Sequence, residues 1–311
     1  MLHIADFRHL EEDIKRMGKC HTVALVCPHD QHTENVMERA LQTGFARFVV
    51  TTYGQLVSQR LATLISRYGQ EVEVVECDDA DDACRKAVAL VREGRAEILM
   101  KGLVGTDQLL HAALDKQRGI LEQGRVMTHL TLAEIPAWPT TQAPTSPRML
   151  LFSDAAVIPC PDIGQLDAIV GYCAEACRRL GVEVPRIALT HCNEKVNARF
   201  PVTLHYEEIK RRAAEGRYTD AIVDGPMDVK TACDVESGDI KGIHSPVAGQ
   251  ADAIVFPDIE AGNTFYKTVT LFAHATTAGW LAGTTVPVVL TSRADSELSK
   301  YYSLMLACLQ A

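Results

Sequence analysis

The chain has 311 residues, 47% hydrophobic and 23% charged, and is therefore long enough to build one large or two modest hydrophobic cores. Its formal net charge of −9 provides no broad basic surface, which argues against a nucleic-acid partner. No apolar run approaches the roughly 20 residues that cross a bilayer, and the N-terminus lacks the apolar core of a signal sequence. We therefore expect a cytoplasmic protein without a membrane partner.

The ten cysteines are scattered along the chain without a CxxC pair. This pattern is typical neither of a disulfide framework nor of a zinc site. We expect most of them to be small buried apolar residues, and we predict no metal site.

Strand and helix patterns alternate through the first half of the chain. Strands are predicted at His21–Cys27, Arg47–Thr51, Glu71–Cys77 and Glu97–Lys101, and helices at Thr33–Gly44, Gln55–Tyr68 and Ala80–Gly94. Strands separated by helices of this length indicate βαβ units with right-handed crossovers.

A segment rich in proline and threonine follows at Pro136–Pro147, and we interpret it as a hinge, linker or edge segment. Alternation then resumes. The predicted strands are Arg148–Ser153, Pro185–Thr190, Asp220–Asp224, Ala253–Pro257 and Val286–Thr291, and the predicted helices are Gly164–Leu180, Leu204–Glu215, Glu260–Ala275 and Ser296–Leu309. Ser296 is predicted to cap the last helix.

The loop at Thr291–Ser296 (TSRADS) is the strongest candidate for ligand chemistry, because it joins an apolar strand to a helix N-terminus. Ligands of open α/β sheets bind beyond the carboxyl ends of the strands, where helix N-termini present free amides. A guanidinium such as Arg293 can clamp a phosphate, and the Ser292 hydroxyl can donate to an oxyanion. A capped surface turn explains the same residues equally well.

A second candidate is the segment MKGLVGTD at Met100–Asp107, which also runs from a strand through a glycine-rich loop to a helix. Gly102 and Gly105 allow a close approach of backbone to ligand, and Lys101 supplies a charge. The segment is not a Walker A loop, and no GxGxxG fingerprint follows any predicted strand.

Further polar residues follow other predicted strands. They are Asp154, Asp224, Asp258, Asn263 and Lys267, with His129, Lys241 and His244 as weaker candidates. Each alone is more often a helix cap, a turn residue or a structural histidine. Together they indicate a polar edge of the sheet.

Five segments, in order, resemble the phosphate acetyl/butyryltransferase family, and its butyryl branch more closely. They are MKGLVGTDQLL (Met100–Leu110), LLFSDAAVIPCPD (Leu150–Asp162), DGPMDVKTA (Asp224–Ala232), AGQADAIVFPDIEAGNTFYK (Ala248–Lys267) and PVVLTSRADS (Pro287–Ser296). The resemblance implies two α/β domains around a cleft, similar to the isocitrate/isopropylmalate dehydrogenase architecture. Residues 1–135 and 276–311 would form the first domain and residues 136–275 the second, with the active site between them.

The resemblance also implies an activity, in which a butanoyl group moves between coenzyme A and phosphate by direct transfer in a ternary complex. Coenzyme A would be a substrate, with no permanently bound cofactor, and the protein would be a homodimer or larger homo-oligomer. Ser292 would stabilise the oxyanion, and Arg293 would hold phosphate. The acetyl branch has an aspartate as base where this chain has Ser299, so Asp295 is our candidate base. The implied substrate-binding residues are Lys101, Gly102, Gly105, Thr106, Asp154, Asn263 and Lys267.

Three alternatives remain open at this point. The first is acetyl, propanoyl or branched acyl specificity within the same family. The second is a metal- and NAD-dependent hydroxy-acid dehydrogenase, for which Asp154, Asp224 and Asp258 are the candidate metal ligands. The third is a non-catalytic relative that has lost the base.

Overall fold

The structure is a computed structural model that describes residues 4–54, 58–136, 148–291 and 295–311. The chain divides into two compact units. The N-terminal unit comprises residues 8–127 and 278–311, and the central unit comprises residues 128–277 together with the segment that ends at Phe7. Each has a mixed α/β fold. No helix among the described residues is long and apolar enough to cross a membrane.

The helices cover much of both units. They are α1 (Phe7–Met17), α2 (Gln31–Thr43), α3 (Gln59–Arg67), α4 (Ala80–Arg92), α5 (Thr106–Ala113), α6 (Ile163–Arg179), α7 (Pro201–Ala214), α8 (Val229–Cys233), α9 (Val235–Lys241), α10 (Ile259–Phe272) and α11 (Glu297–Gln310).

The strands alternate with these helices along much of the chain. They are β1 (His21–Val26), β2 (Ala46–Tyr53), β3 (Val72–Cys77), β4 (Ile98–Lys101), β5 (Thr128–Ile135), β6 (Arg148–Ser153), β7 (Arg186–Thr190), β8 (Ile222–Met227), β9 (Ala253–Val255), β10 (Thr276–Ala282) and β11 (Val288–Val289).

In the N-terminal unit the strand order is β3-β2-β1-β4-β11-β10. All neighbours pair in parallel except β10 and β11, which are antiparallel. Every residue of β1 and β4 is buried, as expected for parallel strands covered on both faces. The carboxyl ends of β1, β4 and β11 therefore lie at one edge of this sheet.

In the central unit the strand order is β5-β6-β9-β7-β8, with only β5 antiparallel to its neighbour. The ends of β6, β7, β8 and β9 consequently lie together at one edge. The loops after these strands contain several of the polar residues singled out in the sequence.

Most of the helices have an aspartate or a serine as their N-cap residue. In each case the side-chain oxygen accepts a hydrogen bond from a backbone amide of the first helical turn, which satisfies a donor that has no partner within the helix. These caps are Asp30, Ser58, Asp79, Asp162, Asp228, Asp258 and Ser296. The predicted cap at Ser296 is confirmed.

The predicted elements are present, with shifts at their ends. The helix predicted at Gln55–Tyr68 begins only at Gln59, after its cap Ser58, and residues 55–57 lie outside the described residues. The helix predicted from Leu204 begins at Pro201, because proline suits the first helical turn, where its missing N–H is not needed. The strand predicted at Val286–Thr291 is reduced to Val288–Val289.

The strand predicted at Asp220–Asp224 is instead β8, which continues through Gly225–Pro226 to Met227. A Gly-Pro pair is typical of a turn, but proline is tolerated in a strand with one unpaired side, and β8 is last in the strand order of its unit. The patterns did not predict α1, β5, α8, α9 or β10. Of the predicted hinge at Pro136–Pro147, residues 137–147 lie outside the described residues.

Helix α10 packs against the loop after β6 at very short range. A Cβ atom on Gly262 would lie 2.0 Å from the carbonyl oxygen of Asp154, so this position has no room for a side chain. One residue further on, Asn263 Nδ2 donates to the Ala155 carbonyl at 3.0 Å. Glycine therefore determines how closely α10 approaches this loop.

Gly262→Ala is expected to lower the free energy of unfolding by about 1–3 kcal/mol, because the backbone of Asp154 or the helix must move to admit the methyl group. Gly171→Ala in α6 is the matched control, since its Cβ would meet nothing within 4 Å. That control should be neutral or stabilising by up to about 1 kcal/mol. Urea unfolding of both variants tests the packing, and equal stability of Gly262→Ala and wild type would contradict it.

A largely buried ion pair joins α11, the last helix of the N-terminal unit, to Asp30 at the start of α2. Lys300 on α11 is 4% exposed, and its Nζ lies 3.3 Å from both Asp30 Oδ1 and Thr33 Oγ1. Burial raises the pKa of Asp30, but hydrogen bonds from Thr33 and the charge of Lys300 outweigh burial and hold the pKa below its usual value of 3.8. Asp30 is therefore ionised at neutral pH.

A lowered pKa in the folded state contributes stability above the unfolded pKa, and this contribution is lost as the pH falls through the folded pKa. Asp30→Asn retains a good helix cap but removes the charge that faces Lys300. We expect it to lower the free energy of unfolding by about 2 kcal/mol at pH 7. The difference from wild type should shrink below about pH 3.8. In a Lys300→Met background the substitution should have a smaller effect, and an equal effect there would contradict the pairing.

Candidate active site

Two loops leave the N-terminal sheet side by side. Strand β4 pairs in parallel with β11, with Met100 opposite Val289, so both strands end at the same edge. Lys101 is the last residue of β4, and Thr291 lies two residues beyond Val289. The two candidate loops identified in the sequence therefore begin next to each other.

Lys101 is turned into the loop that follows it. Its side chain is buried, at 3% exposure, and Nζ donates to the carbonyl oxygens of Gly102 and Val104 at 3.1 and 3.2 Å. The ammonium group thus stabilises the curled shape of this loop and carries a positive charge at the sheet edge.

The same loop is hydrogen-bonded across the end of β1. The amides of Gly102 and Leu103 donate to the carbonyls of Val26 and Cys27 at 2.8 and 2.7 Å. A Cβ on Gly102 would lie 2.4 Å from both of these carbonyl oxygens, so only glycine fits there. Burial raises the pKa of the Cys27 thiol to about 12, so the thiol is protonated at neutral pH and is a poor nucleophile.

Gly105 and Thr106 form the start of α5. Gly105 is the N-cap residue and has no side chain to bond the first turn, although its own amide donates to Gln108 Oε1 at 3.0 Å. Thr106 is exposed. Amides at a helix N-terminus that no side chain caps are suited to an anion.

The residues at the start of α11 are partly described. Ser292 and Arg293 lie outside the described residues, and Asp295 is half-buried immediately before the cap Ser296. Ser299 donates its amide to Ser296 Oγ at 3.1 Å and therefore belongs to the cap itself. Glu297, on the same turn, accepts from Asn35 Nδ2 at 2.5 Å.

In the central unit, Asp154 is surrounded by hydrogen-bond donors. It is 3% exposed, and its two carboxylate oxygens accept from the Thr128 hydroxyl and from four backbone amides at 2.7–3.3 Å. The amides belong to His129, Ala156, Val157 and Ile158. So many donors compensate the burial of this carboxylate and fix the loop after β6.

Asn263 and Lys267 lie one turn apart on α10. Asn263 is exposed, and its amide nitrogen donates to Ala155 in the loop that Asp154 holds. Lys267 is also exposed, with Nζ 4.2 Å from the ring centroid of Tyr266. The structure therefore places Asp154 and Asn263 at one loop of the central unit, with Lys267 one turn further along α10. Lys101, Gly102, Gly105 and Thr106 lie around one loop of the N-terminal unit.

The three aspartates considered as metal ligands have separate partners. Asp224 pairs with Lys210 at 2.7 Å and accepts from the Gly225 amide, and Asp258 accepts from the Ala261 amide as the cap of α10. Within the described ranges, no group of three or more His, Cys, Asp or Glu side chains is arranged to hold a metal ion.

The remaining polar candidates are bonded to neighbouring residues or are exposed to solvent. The ring of His129 meets the Thr131 hydroxyl at 3.1 Å, and its amide binds Asp154. Lys241 forms ion pairs with Glu194 and Asp228, and His244 is exposed.

Sequence reasoning missed the pair of Asp30 and Lys300, which lies close to the start of α11. Asp30 follows β1 and was recognisable as a cap, but a lysine within a C-terminal helix is normally exposed. The packing of α11 on α2 places it beside Asp30 in a buried position. It also missed the donors that Thr128 and His129 supply to Asp154, because β5 was not predicted.

Known proteins are similar to this chain over nearly its whole length, including these loops. A model of the phosphate acetyl/butaryl transferase family matches residues 19–308. The phosphate acetyltransferase of Thermotoga maritima is 32% identical over 294 residues, which cover 94% of this chain and 96% of that protein. The phosphate butyryltransferase of Clostridium beijerinckii is 30% identical over 306 residues, which cover 98% of each chain.

A crystal structure of a branched-chain phosphotransacylase from Enterococcus faecalis V583 shares the fold. It has a TM-score of 0.79 and 31% sequence identity, and the match covers 93% of this chain and 98% of the other. The family match spans all five segments that first suggested the resemblance. The chain is therefore an enzyme of the phosphate acetyl/butaryl transferase family.

Proposed function

We propose that the protein transfers a butanoyl group from coenzyme A to inorganic phosphate and forms butanoyl phosphate and free CoA. The observation that carries the proposal is the family match over residues 19–308, which includes both loops at the edge of the N-terminal sheet. Relatives named for acetyl, butyryl and branched-chain substrates are similar to this chain to nearly the same degree. Acyl-chain length is therefore the part of the proposal that most needs an experiment.

In the proposed reaction, a phosphate oxygen attacks the carbonyl carbon of the thioester. A C–O bond forms, and the carbonyl electron pair moves to oxygen to give a tetrahedral oxyanion. When the oxyanion collapses, the C–S bond breaks, and CoA leaves as a thiolate that takes up a proton. In the reverse direction a base removes the thiol proton, and the thiolate attacks the acyl phosphate. Neither direction needs a covalent enzyme intermediate.

The proposed catalytic residues follow β11. Ser292 donates to the oxyanion, Arg293 binds phosphate, and Asp295 exchanges the proton with the CoA thiol. Asp295 is half-buried, precedes the cap Ser296 and is two residues from Arg293 in the chain, which supports its choice as the base. Ser299, which occupies the position of the acetyl branch's aspartate, serves the helix cap and has no carboxylate.

The proposed substrate-binding residues act in different ways. Lys101 shapes its loop and adds positive charge, Gly102 and Gly105 allow the close turns of that loop, and the first turn of α5, which begins at the exposed Thr106, can meet an anion. In the central unit, the exposed side chains of Asn263 and Lys267 can contact substrate. We propose that Asp154 acts indirectly, by holding the loop to which Asn263 is bonded.

Other features implied by the family resemblance stay predictions. They are the domain division at residues 135 and 275, the isocitrate/isopropylmalate dehydrogenase-like arrangement around a cleft, a cytoplasmic location and a homo-oligomeric state.

A panel of acyl-CoA substrates tests the proposed function. With phosphate and a thiol reagent, we expect butanoyl-CoA to give the highest kcat/KM among acetyl-, propanoyl-, butanoyl- and branched-chain acyl-CoA. The advantage should be about 10- to 200-fold per methylene that the pocket recognises. Fastest release with acetyl-CoA would contradict the butanoyl assignment, and absence of phosphate-dependent thiol release with every substrate would contradict acyl transfer.

Substitutions in the loop after β11 test the roles of the two residues. Ser292→Ala should lower kcat by about 10²- to 10³-fold if its hydroxyl stabilises the oxyanion. Arg293→Ala should raise the KM for phosphate strongly, because a charged bidentate contact is lost. Arg118→Ala removes an exposed arginine next to α5 and serves as the control. Near-normal kinetics of the first two variants would reject these assignments.

A further inference from the structure

The central unit contains a cavity of about 990 Å³, and its described lining includes none of the proposed substrate-binding residues. It lies beyond the carboxyl ends of β7, β8 and β9, where α/β sheets commonly bind ligands. Its size falls within the range of small-molecule sites. The lining residues come from the loops after these strands, from the end of the loop after β6 and from α7, α8 and α10.

The cavity lies on the face of helix α10 that points away from Asp154 and Ala155, and the far end of the loop after β6, at Cys160 and Pro161, also lines it. Ala261, Thr264 and Phe265 line the cavity on one face of the helix. Gly262 and Asn263 contact Asp154 and Ala155 on the opposite face. The cavity is therefore distinct from the residues assigned to acyl transfer in this unit.

The walls of the cavity are mainly apolar. Phe200, Phe256 and Phe265 contribute aromatic rings, accompanied by Pro161, Pro257, Val202 and Val229. Phe200 also packs edge-on against His191, with ring centroids 4.8 Å apart. Such walls suit a ligand with an apolar aliphatic or aromatic body.

Two histidines offer nitrogen atoms that have no partner among the described residues. His191 is 9% exposed, and its Nδ1 is occupied by the backbone of Asn193 at 3.2 Å, which leaves Nε2 available. His205 Nδ1 is buried without a hydrogen-bond partner. Both residues line the cavity. A buried polar atom without a partner costs free energy, which a ligand acceptor or donor would recover.

A positive end of the cavity is formed at the start of α7. Phe200 is the N-cap residue and provides no side-chain hydrogen bond to the first turn of this 14-residue helix. Arg199 precedes it, is exposed and lines the cavity. Pro201 has no N–H and the Thr203 amide donates to the Phe200 carbonyl at 2.9 Å, so the Arg199 guanidinium is the main group at this end that favours a carboxylate or another small anion.

Carboxylates in the lining limit the charge that a ligand can carry. Asp228, Asp258 and Glu260 line the cavity. A ligand with several negative charges, such as the nucleotide end of CoA, would be repelled by them and would find one arginine in compensation. A single negative charge placed at Arg199 avoids this repulsion.

We infer that the cavity is a second ligand site, which binds a monocarboxylic acid with an apolar aliphatic or aromatic body. The carboxylate lies at Arg199 and the start of α7, and the body packs among Phe200, Phe256 and Phe265. Binding involves no covalent step and does not depend on the proposed acyl specificity.

Isothermal titration calorimetry of the full chain with octanoate and with phenylbutyrate tests the inference. Arg199→Ala should weaken binding at least about tenfold, which corresponds to about 1.4 kcal/mol. Lys195→Ala, four residues earlier, removes an exposed cation that does not line the cavity and should leave binding unchanged. Thr264→Phe, at an exposed position of α10 that lines the cavity, should block binding by placing a ring where the apolar body packs beside Phe265. Octanol, which lacks the charge, should bind more weakly than octanoate and should not respond to Arg199→Ala.

Acyl-transfer kinetics of the same variants separate this site from the catalytic one. We expect Thr264→Phe to keep the wild-type KM for acyl-CoA while it loses octanoate binding. The inference is overturned if octanoate does not bind wild type, or if it binds equally well to Arg199→Ala and Thr264→Phe. It is also overturned if CoA displaces octanoate and Thr264→Phe raises the KM for acyl-CoA, because the cavity would then belong to the acyl-transfer site.

Discussion

The carboxylate of Asp154 is the interaction on which the central unit is organised. It is almost fully buried, which would be costly for an isolated charge, and it accepts five hydrogen bonds in compensation. These bonds fix the loop after β6, and α10 approaches that loop as closely as Gly262 allows. The helix then presents Asn263 on one face and the apolar cavity on the other. Both candidate sites of this unit therefore depend on one buried charge.

In the N-terminal unit, two buried lysines take the place that a buried carboxylate has in the central unit. Lys101 directs its ammonium group to carbonyl oxygens of its own loop, and Lys300 directs its ammonium group to Asp30 and Thr33. Lys101 stabilises the loop after β4, and Lys300 links the helix after β11 to the helix cap that follows β1. Their charges are satisfied by protein atoms, so a phosphate group needs a further donor at this edge. Arg293 is the residue that we propose for that role.

The strand and helix patterns were sufficient to predict most of the alternating elements and the polar edge formed after the strands. They failed where packing overrides the local pattern. Strand β8 includes Gly225–Pro226, a pair that is typical of a turn, and β5 and β10 lack a clear pattern. Lys300 is buried because its own helix, α11, packs against α2. The role of Asp154 could not be predicted, because its donors come partly from β5, some 25 residues away in the chain. The cavity beside α10 combines residues from several loops, so no single motif indicates it.

The order of the strands has a consequence for how the protein is made on the ribosome. The central unit is nearly continuous in the chain and has emerged completely once residue 277 is free. The N-terminal unit still lacks β11 and α11 at that moment, although β1, β2, β3 and β4 were synthesised long before. One side of β4 has no partner strand until β11 arrives. During translation, this open strand edge is a template for incorrect pairing with other chains.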